Sequence, residues 1–87
     1  MSWRVVFAKH ALKDARNLAA AGLKPKAQEL LAVLADNPFR NPPPFERLVG
    51  DLAGVYSRRI NIQHRLLYEG FPAQRTVRVL RMWSHYE

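Results

Sequence analysis

The sequence contains no cysteine, which excludes disulfide bonds and thiolate–metal sites. Its three histidines and seven acidic residues show no metal-ligand spacing, so we predict neither a metal nor any other cofactor. Long apolar runs are also missing, because the longest, Leu30–Ala35, is far shorter than the roughly 20 residues that cross a bilayer. Arg4 and Lys9 interrupt the N-terminus before a signal-type apolar stretch develops. We therefore expect a cytoplasmic protein without a membrane partner.

Acidic residues are scarce relative to basic ones. The 87 residues include 14 Lys and Arg against 7 Asp and Glu, which gives a formal net charge of +7. Ten of these cations are Arg, whose planar guanidinium can bind two phosphate oxygens at once. The hydrophobic content of 48% is typical of a globular chain rather than a disordered one. Length and composition together predict one domain, residues 1–87, with a bias towards nucleic-acid partners.

The first half of the chain predicts one strand and two helices. Trp3–Phe7 is short, β-branched and aromatic, as strands often are. From Lys9, apolar residues recur at three- and four-residue spacing as far as Gly22, a residue type that commonly ends helices. Pro25 suits the first turn of a second helix, which should end near Pro38. We expect the two helices to pack as a hairpin.

The second half of the chain predicts strands. The proline-rich segment Phe39–Pro44 cannot continue a helix, and we interpret it as a stiff connector that delivers Phe45–Leu48 to a sheet edge. Three more strands follow, with short connections that favour antiparallel hairpins: Val55–Asn61, His64–Gly70 and Thr76–Ser84. The expected fold class is α+β, a two-helix hairpin packed on a mainly antiparallel sheet of about four strands.

Strand parity assigns candidate residues to faces, because alternate residues share one face of a sheet. Arg59 and Arg65 then meet on one face across a short turn, whereas Arg58 points away and is expected in a surface ion pair. The apolar residues of the last strand change phase, so that strand is either buried on both faces or bulged near Val79–Leu80. We favour the bulge, which would turn three later residues outward beside the two arginines: Arg81, Trp83 and His85.

Several segments of the second half, in this order and spacing, resemble the YoeB/Txe family of toxins in the RelE superfamily. The matching residues are Glu46-Arg47-Leu48, Leu52 to Ile60, His64 to Tyr68, and the pair His85-Tyr86. The resemblance implies a RelE-like fold akin to small microbial ribonucleases. It also implies a ribosome-dependent endoribonuclease that cuts messenger RNA and inhibits translation. Its partners would be the ribosome, messenger RNA and an acidic, YefM-like antitoxin, and a homodimer is compatible with the resemblance.

The resemblance also implies roles for individual residues. Glu46 would be the general base, Arg65 would stabilise the reacting phosphate and His85 would be the general acid. Arg59 would make a second phosphate contact, and Tyr86 would order the terminal part of the site. The residue types suit the chemistry, because RNA supplies its own 2′-hydroxyl nucleophile and histidine can donate a proton near neutral pH. Since carboxylates among arginines are weak bases, Glu46 could instead orient an arginine while another group removes the proton.

Other residues extend this site or depart from the family's pattern. Trp83 could stack on RNA bases. The family usually carries a basic residue in the short segment after its glutamate, which here reads Leu48-Val49-Gly50. One phosphate or ribosomal-RNA contact is therefore either missing or supplied by Arg47. Glu87 follows the His-Tyr pair and adds negative charge there. Either departure could weaken the activity.

Two rival functions remain open on the same fold. One is a poison of DNA gyrase, as in the related ParE toxins, which need no acid–base set. The other is a non-catalytic module that binds RNA or the ribosome through its positive charge and aromatic residues alone.

Overall fold

The computed structural model describes residues 2–41, 44–48, 54–61 and 64–84, with only the backbone described at 83 and 84. Two α-helices, five strands and a short 3-10 helix (Pro72–Gln74) occupy these ranges. The α-helices and strands are β1 (Arg4–Phe7), α1 (Lys9–Ala20), α2 (Lys24–Asp36), β2 (Glu46–Arg47), β3 (Val55–Arg59), β4 (Arg65–Phe71) and β5 (Thr76–Ser84). The helices pack on one face of the sheet, so the predicted α+β class is confirmed. Within the described ranges, no helix is both long and apolar enough to span a membrane.

A tight turn at Gly22 separates the two helices. Gly22 has a φ of +77°, and its N–H donates to the carbonyl of Ala19 while the N–H of Leu23 donates to that of Leu18. These two bonds satisfy carbonyls at the end of α1, and the left-handed conformation costs glycine little. The predicted helix stop at Gly22 is therefore confirmed. Pro25 lies in the first turn of α2, also as predicted.

The hydrophobic core lies between the helices and the sheet. Each helix buries residues at three- and four-residue spacing, which is the apolar stripe expected of a surface helix. The sheet contributes apolar side chains mainly from alternate strand positions. The cluster consists of Ala11, Leu18, Ala27, Leu30, Leu34, Ile60, Leu66, Tyr68, Val77, Val79 and Met82.

The strands are arranged in the order β1-β5-β4-β3-β2. The neighbours from β2 to β5 are all antiparallel, which confirms the predicted antiparallel hairpins, whereas β1 pairs parallel with β5. The sheet has five strands rather than about four, because Glu46–Arg47 forms a short edge strand against β3. The proline-rich connector therefore leads to a sheet edge, as the sequence predicts.

Strand β5 changes phase near its centre. Adjacent residues of β4 pair with Val79 and Arg81 of β5, so Leu80 is an extra residue in the ladder. Burial moves accordingly from the odd-numbered Val79 before this point to the even-numbered Met82 after it. The predicted bulge near Val79–Leu80 is therefore confirmed.

Candidate active site

Three short strands bring Glu46, Arg59 and Arg65 together. Glu46 lies opposite Ser57 of β3 at the sheet edge, and Arg59 lies opposite Arg65 of β4. Paired residues in an antiparallel sheet share a face, which here is the face away from the helices. Oε1 of Glu46 is 3.6 Å from Nη1 of Arg65. The structure thus joins two of the three residues that the resemblance assigns to catalysis.

The contact between Glu46 and Arg65 is exposed and loose. The Glu46 side chain is 67% exposed, the Arg65 side chain is 28% exposed, and 3.6 Å is longer than a normal hydrogen bond. Ion pairs this open to water contribute about 0–1 kcal/mol to stability. An anionic ligand can therefore replace the carboxylate on the guanidinium at little cost to the fold.

Arg59 adds a second positive charge beside Arg65. The two residues are directly opposite in the β3–β4 ladder, and Arg59 is exposed. Like charges directly opposite each other across a sheet are destabilising, and a shared anion would relieve that repulsion. Two arginines paired on one face of adjacent strands form a positively charged patch, and guanidinium groups are suited to binding phosphate oxygens.

Arg47 is placed differently from its neighbour in the sequence. As the second residue of β2, it lies on the opposite face of the strand from Glu46. Its guanidinium carbon is 5.7 Å from the centre of the Tyr56 ring, within the range of a cation–π contact. Arg47 is thus anchored at the sheet edge, next to the site rather than on the face that carries Arg59.

Arg58 was expected in a surface ion pair, and this prediction is wrong. The residue is 1% exposed, and its guanidinium donates to the carbonyls of Pro38 and Arg40 at 2.9 and 2.8 Å. It also donates to the hydroxyl of Tyr68 at 3.2 Å. Strand parity carried the signal, because Arg58 shares its face with the core residue Ile60. Arg58 holds the start of the crossover, which is the proline-rich connector that leads from α2 to Glu46.

An aromatic cluster fills the space around that guanidinium. Rings of Phe39, Phe45, Tyr56 and Tyr68 contact one another at centroid distances of 5.3 to 6.4 Å. Tyr56 lies within this cluster, in ring contact with Phe39, Phe45 and Tyr68. Gly70 permits the close approach of Phe39, since a Cβ there would lie 2.9 Å from the ring. Phe45, the residue before Glu46, lies 4.8 Å from the Arg58 guanidinium.

Burial raises the pKa of Tyr68, although the nearby Arg58 charge and hydrogen bond act in the opposite direction. The Tyr68 hydroxyl donates to the Pro38 carbonyl at 2.7 Å and accepts from Arg58. The neutral phenol is therefore a structural hydrogen-bond donor that helps to fix the crossover. This group supports the site from the core and does not reach the exposed face.

Arg81 was expected to face outward beside Arg59 and Arg65, and the structure corrects this prediction. Its Nε lies 2.8 Å from Oδ2 of Asp14 on α1. The bulge does change the phase of β5, but the carboxylate draws the Arg81 guanidinium to the helix. Sequence reasoning missed Asp14, whose position between Ala11 and Leu18 on the buried stripe of α1 was the available signal.

Several predicted site residues lie outside the described residues. They are His85, Tyr86 and Glu87, the side chain of Trp83, and the departures Val49 and Gly50. Their roles remain predictions. Within the ranges that the structure describes, no three His, Cys, Asp or Glu side chains form a group that could hold a metal ion. The sheet face offers the carboxylate of Glu46 and the guanidinium groups of Arg59 and Arg65 for chemistry.

Comparison with known proteins identifies the family. Residues 7–86 match the model of the YoeB-like toxin of bacterial type II toxin–antitoxin systems. Toxin YoeB of Streptomyces coelicolor is 33% identical over 85 residues, which are 95% of this chain and 99% of that protein. The YoeB dimer of Staphylococcus aureus has a TM-score of 0.82, and the heterotetrameric YoeB–YefM toxin–antitoxin complex from the same organism has one of 0.80. Each is 27% identical, with 99% of this chain and 100% of the other covered. By sequence and by fold, this chain belongs to the YoeB-like toxins of bacterial type II toxin–antitoxin systems.

Proposed function

We propose that this toxin is a ribosome-dependent endoribonuclease that cleaves messenger RNA and thereby stops translation. The observation that carries the proposal is the loose ion pair between Glu46 and Arg65 beside the exposed Arg59. A carboxylate and two guanidinium groups on one sheet face supply a base and an anion site. Membership of the YoeB-like toxins supports this use of the face.

The proposed reaction needs no nucleophile from the protein. The RNA 2′-hydroxyl attacks the adjacent phosphorus as Glu46 takes its proton, and the bond from phosphorus to the 5′ oxygen breaks. His85 donates a proton to that leaving oxygen, so the products carry a 2′,3′-cyclic phosphate and a 5′-hydroxyl. Arg65 binds the phosphate oxygens, on which charge builds in the transition state. General acid–base groups typically contribute about 10²–10⁴-fold each.

The repulsion between the two arginines supports this assignment. Arg59 and Arg65 face each other with like charge, and Glu46 balances one of them only weakly. When a phosphate binds between the guanidinium groups, the carboxylate is displaced from Arg65 and becomes available to the 2′-hydroxyl. Its displacement from Arg65 would let Glu46 serve as a base, although the carboxylate is paired with Arg65 in the free protein.

Additional RNA contacts are proposed around this centre. Tyr86 would order the terminal segment and Trp83 would stack on a base. Arg47, held over the Tyr56 ring at the sheet edge, would reach a flanking phosphate. It would then replace the basic residue that the family usually carries where this chain has Val49 and Gly50.

The proposed partners include an antitoxin and a second toxin chain. The Staphylococcus aureus relative forms a heterotetrameric complex with YefM and is also known as a dimer. We propose a YefM-like antitoxin with an acidic segment, because the sheet face offers two closely spaced arginines and the chain has a net charge of +7. Such a segment would occupy the phosphate site and block RNA.

Three substitutions in the site and two control substitutions elsewhere in the sheet test the proposal. Glu46→Gln, Arg65→Ala and His85→Gln should each lower cleavage of messenger RNA on translating ribosomes by about 10²-fold or more. Glu69→Gln and Arg78→Ala remove the same charges from a pair that faces across β4 and β5, and both should retain wild-type cleavage. On expression, the wild type and the two control variants should arrest growth, and the three site variants should not.

Other outcomes would replace the proposal. Equal growth arrest by the wild type and all three site variants would exclude catalysis at this site. Damage to chromosomal DNA with intact messenger RNA would indicate a gyrase poison instead. Translation arrest without cut RNA would indicate a ribosome-binding module.

A further inference from the structure

Asp14 is a buried carboxylate that the proposed chemistry does not use. It lies on the sheet-facing side of α1, and its side chain is 4% exposed. Its oxygens accept hydrogen bonds from Arg81 Nε at 2.8 Å, from Arg81 Nη2 at 3.4 Å and from the backbone N–H of Met82 at 3.0 Å. Because a buried carboxylate is costly without such donors, Asp14 ties α1 to one specific point of β5.

That point is where the register of β5 is irregular. Leu67 pairs with Arg81 and Arg65 pairs with Ser84, so two steps along β4 correspond to three along β5. Such irregularities take backbone groups out of the strand ladder, and a buried N–H without an acceptor is destabilising. Asp14 provides the acceptor for Met82 at this point. It thereby stabilises the register in which Ser84 lies opposite Arg65.

We propose that Asp14 is a positioning residue for the C-terminal part of the active site. His85 follows Ser84 directly in the sequence, so the register of Ser84 against Arg65 fixes where along β4 the residue before the proposed general acid lies. Asp14 acts through Arg81 and the Met82 backbone, and it does not touch RNA itself. This inference rests on the proposed function, in which His85 donates the proton and Arg65 holds the phosphate.

The substitution Asp14→Asn tests the inference with little change in side-chain size. The amide loses the charge and replaces one acceptor oxygen with a donor NH₂, so it cannot satisfy the same donors. We expect kcat for ribosome-bound messenger RNA to fall by about 10- to 100-fold, because small misplacements of a catalytic group have effects of this size. KM should change by less than about twofold, since Arg59 and Arg65 still bind the phosphate.

A double substitution and a matched control separate positioning from general destabilisation. Asp14→Asn combined with Arg81→Gln should be no slower than Asp14→Asn alone, because the same interaction is removed only once. Ala27→Gly weakens α2 in the core without removing a bond to β5. At a temperature where all variants are folded, Ala27→Gly should keep the wild-type kcat.

A second readout does not depend on activity. The imidazole NMR signals of His85 should shift in Asp14→Asn and stay in place in Ala27→Gly. Unchanged His85 signals together with wild-type kcat in Asp14→Asn would overturn the inference, and so would an equal loss of kcat in Ala27→Gly. If the wild-type chain cuts no RNA, the ribonuclease proposal fails, and the His85 signals alone then decide whether Asp14 positions the end of β5.

Discussion

Replacing Arg58 with methionine would test whether a buried arginine holds the crossover that leads to the active site. The substitution removes hydrogen bonds to the Tyr68 hydroxyl and to the carbonyls of Pro38 and Arg40. Bonds of this charged kind contribute about 1.5–3 kcal/mol each. The net loss is smaller than their sum, because Pro38 keeps its bond from Tyr68 and a charged group no longer has to be desolvated. We expect the free energy of unfolding to fall by about 2–4 kcal/mol.

Chemical and thermal unfolding measure this effect directly. At about 4–8 °C per kcal/mol for a domain of this size, the melting temperature should fall by roughly 10–30 °C. Arg58→Lys keeps the charge but not the planar guanidinium, so its stability should lie between those of the wild type and Arg58→Met. Arg78→Met changes an exposed arginine of β5 and should stay within about 0.5 kcal/mol of the wild type. Equal stability of Arg58→Met and Arg78→Met would refute the anchoring role.

Three other changes have defined outcomes. Raising the pH should destabilise the wild type more than Tyr68→Phe. Because the pKa of Tyr68 is raised in the folded protein, its neutral phenol contributes stability below the ordinary value of 10.0, and this contribution is lost as the pH rises through the folded-state pKa. A constant difference between their urea unfolding midpoints at pH 8 and pH 11 would contradict this. Gly22→Ala should lower the free energy of unfolding by about 1 kcal/mol through the left-handed φ alone, since no atom lies within 4 Å of the new methyl group. In thermal unfolding, Gly22→Asn should lose less stability than Gly22→Ala. Arg59→Ala should reduce the salt dependence of binding to single-stranded RNA by about 0.7 in the slope of log K against log salt; an unchanged slope would mean that Arg59 contacts no phosphate.

Local rules predicted much of the fold. Gly22 and Pro25 set the boundary between the helices, because the conformational preferences of these two residue types dominate over neighbouring side chains. The change of apolar phase in the last strand was sufficient to indicate its bulge. The parallel pairing of β1 with β5 was not predictable in this way, since it joins segments from the two ends of the sequence and no turn specifies it.

The candidate site was predictable where strand parity decides the outcome. Arg59 and Arg65 are opposite each other because a short connection fixes the pairing of β3 with β4. Arg58 was assigned to the surface because of its charge and Arg81 because of the strand phase after the bulge, and both are instead drawn to partners that are distant in sequence. A carbonyl in the crossover and a carboxylate on α1 are visible only after the chain has folded.

The chemistry of the RNA ends produced on the ribosome tests the central claim most directly. Wild-type protein would be incubated with ribosomes programmed with a defined messenger RNA, and both ends of each fragment would be analysed. Attack by the 2′-hydroxyl at a site built from Glu46, Arg65 and His85 predicts 2′,3′-cyclic phosphate and 5′-hydroxyl ends. Fragments with 3′-hydroxyl and 5′-phosphate ends, or messenger RNA that stays intact while growth stops, would contradict the account.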